Sequence, residues 1–187
     1  CKIVILYAPT FRKSDSLDYY KVDWDRILKI ARTKFVADTY ILIRLHPNLI
    51  RKGLDTSCLT GFSNTLDATF YPDMHELLCA SDILITDYSS SMFDFPLTGK
   101  PVFLYANDFC QYDRSVYFNF NELPFDFADS DENLARCLNS FDAITYQIKT
   151  DSFMKDRLGS YESGHSCAST VEWMNNHRVY EHFDSRK

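Results

Sequence analysis

A cluster of hydroxyls follows a buried-type apolar run: Thr86-Asp-Tyr-Ser-Ser-Ser91 comes directly after Ile83-Leu-Ile85. A helix is expected to begin at about residue 92. A helix start offers unpaired N–H groups and a partial positive charge. Small hydroxylic residues there let an anion approach and add donors of their own. A pyrophosphate fits such a turn, with Thr86, Asp87, Tyr88, Ser89, Ser90 and Ser91 as candidate contacts. The plainer alternative is that Ser89 or Ser90 only caps the helix. Asp94 lies one turn further on. Its carboxylate could accept from a pair of ribose hydroxyls, or simply favour the helix dipole.

His46 closes a second apolar run, between Arg44-Leu45 and Pro47. An imidazole there can hold a phosphate oxygen or pass a proton near neutral pH. Arg44 shares its strand face and can pair with phosphate or with an acid such as Asp87. Thr10 and Arg12 follow the first apolar run, where Arg12 could stabilise charge on a leaving phosphate. Two D-x-D patterns, Asp23-Trp-Asp25 and Asp129-Ser-Asp131, fall at expected helix starts. Capping explains the acids at such places, so no metal site is assigned to them and the need for a divalent ion stays open. His75, His165, His177 and His182 show no ligand spacing. With 5 glycines in all and no G-x-G-x-x-G, G-x-x-x-x-G-K-[ST] or G-x-S-x-G, phosphate binding must rest on hydroxyls and helix ends.

The elements that must position these residues alternate. Apolar runs of strand type occur at residues 2–7, 40–45, 68–71, 82–86 and 102–105. Helical spacing marks 24–35, and Asp73 with Glu76 forms the pattern of a capping box before another helix. Helices are also expected at 131–141, 146–158 and 166–178. Residues 48–66 read as turn-rich and 106–128 as aromatic and irregular. This is the α/β pattern: a Rossmann-like parallel sheet with helices on both faces. Ligands then bind at the carboxyl ends of the strands, where Thr10, His46 and the 86–91 turn all fall.

The 187 residues suit one domain, 1–187. A formal net charge of -6 excludes a broad nucleic-acid surface, though not a single bound nucleotide. The 6 cysteines are scattered without a C-x-x-C pair, which argues against a disulfide framework or zinc site and for a cytoplasmic chain. No apolar run reaches the roughly 20 residues of a membrane span, and no signal peptide is evident. The abrupt opening into a strand suggests a domain excised from something longer.

Several segments in order strengthen this reading: Tyr7-Ala-Pro-Thr-Phe-Arg12, Arg44-Leu-His-Pro47, Asp73-Met-His-Glu-Leu-Leu78, Ser81-Asp-Ile-Leu-Ile-Thr-Asp-Tyr-Ser-Ser90, Met92-Phe-Asp-Phe95 and Lys100-Pro-Val-Phe-Leu-Tyr105, then Asp108 and Tyr112. Over roughly residues 3–120, with a weaker echo near 164–174, the chain resembles the C-terminal domain of the CDP-glycerol glycerophosphotransferases. That resemblance implies the C-terminal half of a GT-B architecture, two Rossmann-like domains facing across a cleft, with the N-terminal acceptor domain absent from this chain. It implies CDP-glycerol as donor, no tightly bound cofactor, and a pyrophosphate held by Thr86, Ser89 and Ser90 beside His46, with Arg12 and Arg44 near the same charge.

The implied reaction is attack of an acceptor hydroxyl on the β-phosphorus, releasing CMP, in synthesis of teichoic acid or capsule polymer. The family's second histidine, in a Trp-His-Gly-Thr-type motif, is not in this sequence, so the chain alone is expected to be inactive. Arg114-Ser115 stands where the family shows Arg-Gly, and Thr170-Val171 where an arginine is expected. Glycerol, ribitol or a sugar therefore remain open as the donor's alcohol. A lipid-linked or polymer acceptor would place the whole enzyme at the inner face of the bacterial plasma membrane, without a transmembrane segment. Two other classes fit the pattern less well: a UDP-sugar-using GT-B glycosyltransferase or epimerase, and a non-catalytic receiver-like module with Asp87 as its phosphorylated acid. The second lacks an acidic pair after the first strand, where Ala8-Pro9-Thr10 stand.

Overall fold

The computed structural model describes residues 1–112, 117–160 and 163–177. Arg114, Ser115, His182 and residue 178, the expected end of the last helix, lie outside them. In chain order the elements are β1 (Lys2–Ala8), α1 (Trp24–Phe35), β2 (Asp38–Ile43), α2 (Pro47–Arg51), α3 (Ser57–Thr60), β3 (Thr65–Asp67), α4 (Met74–Ala80), β4 (Ile83–Thr86), α5 (Ser91–Asp94), β5 (Val102–Tyr105), β6 (Asp126–Ala128), α6 (Asp131–Ser140), α7 (Ala143–Asp156) and α8 (Ser166–Asn176). The chain divides into two compact units, Cys1–Asp151 and Ser152–Lys187. The boundary falls inside α7. The second unit carries α8.

The six strands form one sheet in the order β3-β2-β1-β4-β5-β6, and every pairing is parallel. This is the doubly wound order whose direction reverses between its two central strands. Here the reversal lies between β1 and β4, so the chain leaves the sheet towards opposite sides just after Ala8 and Thr86. Ile5, Tyr7, Ile41, Ile43, Ile83, Ile85, Phe103 and Tyr105 pack in one core with Ile27, Leu28 and Ala31 of α1 and Leu134, Ala135 and Leu138 of α6. The alternating residues Leu6, Leu84 and Leu104 are also fully buried, as a period of two requires of a sheet covered on both faces.

Local chemistry sets most boundaries. Asp23 caps α1 by accepting from the Arg26 N–H at 3.1 Å. Asp73 caps α4 through the N–H groups of His75 and Glu76. The capping box is only half formed, because the Glu76 carboxylate accepts from the Tyr71 hydroxyl at 2.5 Å instead of turning back. A strand is expected at 68–71, but β3 forms earlier. The Asp67 carboxylate takes the Thr69 N–H at 2.8 Å and turns the chain before the aromatic pair. The three-residue β6 lies in the stretch expected to be irregular. It is too short for periodicity to reveal, and its pairing with β5 defines it.

The start of α7 is tied to the sheet by one phenol. Tyr146 donates to the Lys100 carbonyl and accepts from the Val102 N–H, both at 3.1 Å. Burial pushes this phenol up to about 12, against the pull of the Val102 N–H. Tyr146→Phe is expected to destabilise the chain by about 1–3 kcal/mol, because it strands a buried N–H. Urea titration checks it; an unchanged midpoint would show that Val102 finds another acceptor.

Candidate functional site

At the reversal point the loops after β1, β2 and β4 enclose a cleft of about 340 Å³, within the size range of small-molecule sites. Thr10, Arg44, His46, Pro47, Ser89, Ser90, Ser91 and Asp94 all line it. The structure thus brings the imidazole, the three serines and the outer carboxylate onto one surface, from segments up to 84 positions apart in sequence (94 − 10).

His46 is the N-cap of α2, with extended backbone before Pro47. Its Nδ1 accepts the Asn48 N–H at 3.1 Å. The neutral ring therefore carries its proton on Nε2, which makes that nitrogen a donor. The ring also lies 5.8 Å from that of Phe11. Arg44 is half-buried and donates to the Tyr71 carbonyl, which anchors the loop leading to α4. It does not pair with Asp87.

The serine turn is tighter than a plain helix start. α5 spans four residues and passes into a 3-10 turn over Phe95–Thr98, so its dipole is that of a short segment. Ser89 Oγ accepts the Ser91 N–H at 3.3 Å and bonds the Ser91 hydroxyl at 2.8 Å. The Ser90 hydroxyl makes no capping bond and is exposed on the cleft. Ser90 is therefore the hydroxyl of the three that is open to a ligand. A second cavity of about 120 Å³ shares Ser90 but is walled by Tyr88, Tyr112, Phe93, Phe118 and Phe120. It is too small and too apolar for a nucleotide.

Four expected contacts lie beneath this surface instead of on it. Thr86 is fully buried and its hydroxyl donates to the Ala8 carbonyl at 2.7 Å. It ties the end of β4 to the end of β1 and has no proton left for a phosphate. Asp87 is 1% exposed. Its carboxylate accepts from the N–H groups of Thr10 and Tyr88 and pairs with Arg12 at 2.8 Å. Arg12, expected to face a leaving phosphate, spends its donors internally: Nε and Nη2 go to Asp108, Nη2 also to Asp87, and Nη1 to the carbonyl and hydroxyl of Thr10. Tyr88 donates to Asp108 at 3.1 Å and stacks on Tyr112 with centroids 3.4 Å apart. The Arg12 guanidinium lies over both rings.

These four residues hold the β1 and β4 loops against each other, and so set where Thr10 and the serines stand. Burial works against the charge of Arg12, but the hydrogen bond to Asp108 and the field of Asp87 outweigh it and raise its pKa. Burial raises the Asp87 carboxyl above its ordinary value, opposed by Arg12 and the N–H of Thr10.

The D-x-D segments sit at helix starts. Asp23 holds the start of α1, while Ser130 caps α6 and Asp131 accepts from the Tyr105 hydroxyl at 3.0 Å. Among the described residues no group of three His, Cys, Asp or Glu is placed to hold a metal ion, and no helix is long and apolar enough to cross a membrane. One cleft residue was given no role by the sequence reading, although it lies in the Asp73-Met-His-Glu-Leu-Leu78 segment. His75 lines the same surface as His46, although 29 positions separate them (75 − 46). Its place in that segment, in the first turn of a helix capped by Asp73, was the signal available.

Residues 1–174 match the profile of the CDP-glycerol:poly(glycerophosphate) glycerophosphotransferase family. The chain belongs to that family. The teichoic acid poly(glycerol phosphate) polymerase of Staphylococcus epidermidis is 39% identical, over 87% of this chain and 23% of that protein. The polymerase of the same name from Bacillus subtilis is 32% identical, over 91% and 23%. The chain thus spans about a quarter of the length of these curated relatives. The structure of the wall teichoic acid polymerase TagF superposes with a TM-score of 0.69 at 34% identity, covering 98% of this chain and 45% of that one. A histidine-to-asparagine variant of TagF soaked with CDPG gives 0.67 at 34%, covering 98% and 44%.

Proposed function

We propose that this chain is the donor-binding half of a GT-B enzyme that transfers glycerol phosphate, or a related polyol phosphate, from CDP-glycerol to an acceptor hydroxyl in teichoic acid or capsule synthesis. The carrying observation is that His46 and the 89–91 serine turn share one cleft at the reversal of the sheet, in a chain of this family. The pyrophosphate lies against Ser90, with Arg44 and Thr10 supplying further donors. The acceptor oxygen bonds to the β-phosphorus as the bridging P–O bond breaks and CMP leaves. His46 Nε2–H donates to the departing phosphate. The acceptor proton goes to a base of the Trp-His-Gly-Thr-type segment that the family resemblance implies. Catalysis of this kind rests mainly on positioning and charge stabilisation. The acceptor is lipid-linked or polymeric, and the whole enzyme works peripherally at the inner face of the plasma membrane.

Calorimetric titration of the chain with CDP tests the reading, and saturable 1:1 binding is expected. Ser90→Ala should weaken it about 10- to 100-fold, the loss of one hydrogen bond to a charged partner, with no change in melting temperature. Ser89→Ala with Ser90→Ala should weaken binding further and also loosen the turn. If CDP fails to bind, the proposal falls; if Ser90→Ala binds as tightly as the parent, the turn is only structural.

A further inference from the structure

The walls of the cleft differ in kind. The loops after β1, β2 and β4 present hydroxyls, Arg44 and His46, whereas α4 presents Met74 and Leu78 with His75 between them. A nucleoside diphosphate is divided in the same way, into a charged pyrophosphate and a flat base with apolar faces and a polar edge. α4 packs against the 3-10 turn that follows Asp94. From Ser91 to Asp94 the chain therefore advances towards α4, by about 4.5 Å at a helical rise. That is about one step from phosphate to ribose, and the next step reaches the α4 wall.

His75 is poised there. Its side chain is 82% exposed, and its Nδ1 lies 3.7 Å from the Asp73 carboxylate, which leaves Nε2 facing outward from that partner. The backbone beneath it is fixed. Asp73 accepts its N–H at 2.7 Å, Tyr71 bonds Glu76, and Arg44 holds the Tyr71 carbonyl. The backbone is thus ordered before a ligand arrives, and only the two side-chain torsions of His75 are left to be fixed on binding.

We propose that His75 is a specificity residue of this cleft, contacting the pyrimidine nucleoside of the donor while Met74 and Leu78 supply the apolar wall behind it. The inference rests on the donor-site reading above but adds the direction in which the nucleotide lies and a residue that reads it. The imidazole combines a ring face for the base with an N–H for its polar edge.

The experiment compares two probes, CDP and inorganic pyrophosphate, titrated into the 187-residue chain and its variants. His75→Ala should lower CDP affinity about 5-fold, the worth of one hydrogen bond, and leave pyrophosphate affinity unchanged. His75→Gln, which keeps an N–H at similar reach, should recover most of the loss. Equal loss for both probes would place His75 on the phosphates or in a purely structural role and would overturn the proposal. Unchanged CDP binding by His75→Ala, with the parent chain binding normally, would overturn it while leaving the donor-site reading intact. If the parent bound neither probe, that wider reading would fail and this one with it. Side-chain exposure makes misfolding of these variants a small risk, and circular dichroism checks it.

Discussion

Turnover in the active protein that carries this chain is expected to fall about 100-fold or more when His46 becomes alanine, the range for removal of a hydrogen-bond donor to developing negative charge. The loss should appear in kcat and leave the KM for donor nearly unchanged, because a hydrogen bond from Nε2–H to the leaving phosphate strengthens as charge builds there in the transition state. Alanine alone does not isolate that effect. His46 is also the N-cap of α2, accepting the Asn48 N–H through Nδ1, and loss of a cap costs about 0.5–2 kcal/mol.

His46→Asn separates the two roles. Asparagine is a good N-cap, so the variant should melt with the parent, yet its shorter amide, held by the cap, does not reach the position of Nε2–H and should leave the enzyme nearly as slow as alanine. CMP release at saturating donor measures the first quantity and calorimetric melting the second. Near-parental turnover by the stable asparagine variant would remove His46 from the chemistry and leave it a cap.

The sheet was legible because its signals are local. Ile3-Val-Ile-Leu-Tyr7 is apolar throughout as a doubly covered strand must be, and the 12-residue α1 follows its own apolar stripe from Trp24 to Phe35. β3 and β6 were not legible, since strands of three residues are defined by their neighbours' hydrogen bonds. At the site, residue type and strand-end position brought out Thr10, Arg44, His46 and the serines, because the fold rule states where such ends converge.

Depth was the missing coordinate. Thr86 and Ser90 look alike in sequence, yet one is sealed against Ala8 and the other faces the cleft. Asp87 and Arg12 look like ligand-binding charges and are instead each other's partners across 75 positions (87 − 12). No spacing rule reaches that far. His75 was passed over for the converse reason: its segment reads as a capped helix start, and only the packing of α4 brings it onto the cleft with His46.

Arg12→Ala is expected to cost the chain about 3–5 kcal/mol, the range for breaking a buried ion pair from one side. Against a usual total of roughly 5–15 kcal/mol, that approaches unfolding. The loss is large because two acids are stranded: Asp87 and Asp108 are 1% and 5% exposed, and both rely on the guanidinium. The variant also carries a pH signature with a definite sign. Burial already holds the Asp87 carboxyl above its ordinary value, with Arg12 the first of the groups pulling it back. Without Arg12 it rises further, so the folded state takes up a proton at a pH where the unfolded chain does not. Stability linked to that group then grows as pH falls from neutral towards the ordinary carboxylate value. The gap between parent and variant should therefore be widest near pH 7 and narrow towards pH 4 in urea titrations. A gap that stayed constant would mean that the stranded carboxylates find water or another cation. In that case Asp87 would not be what holds the Thr10 and Tyr88 loops together.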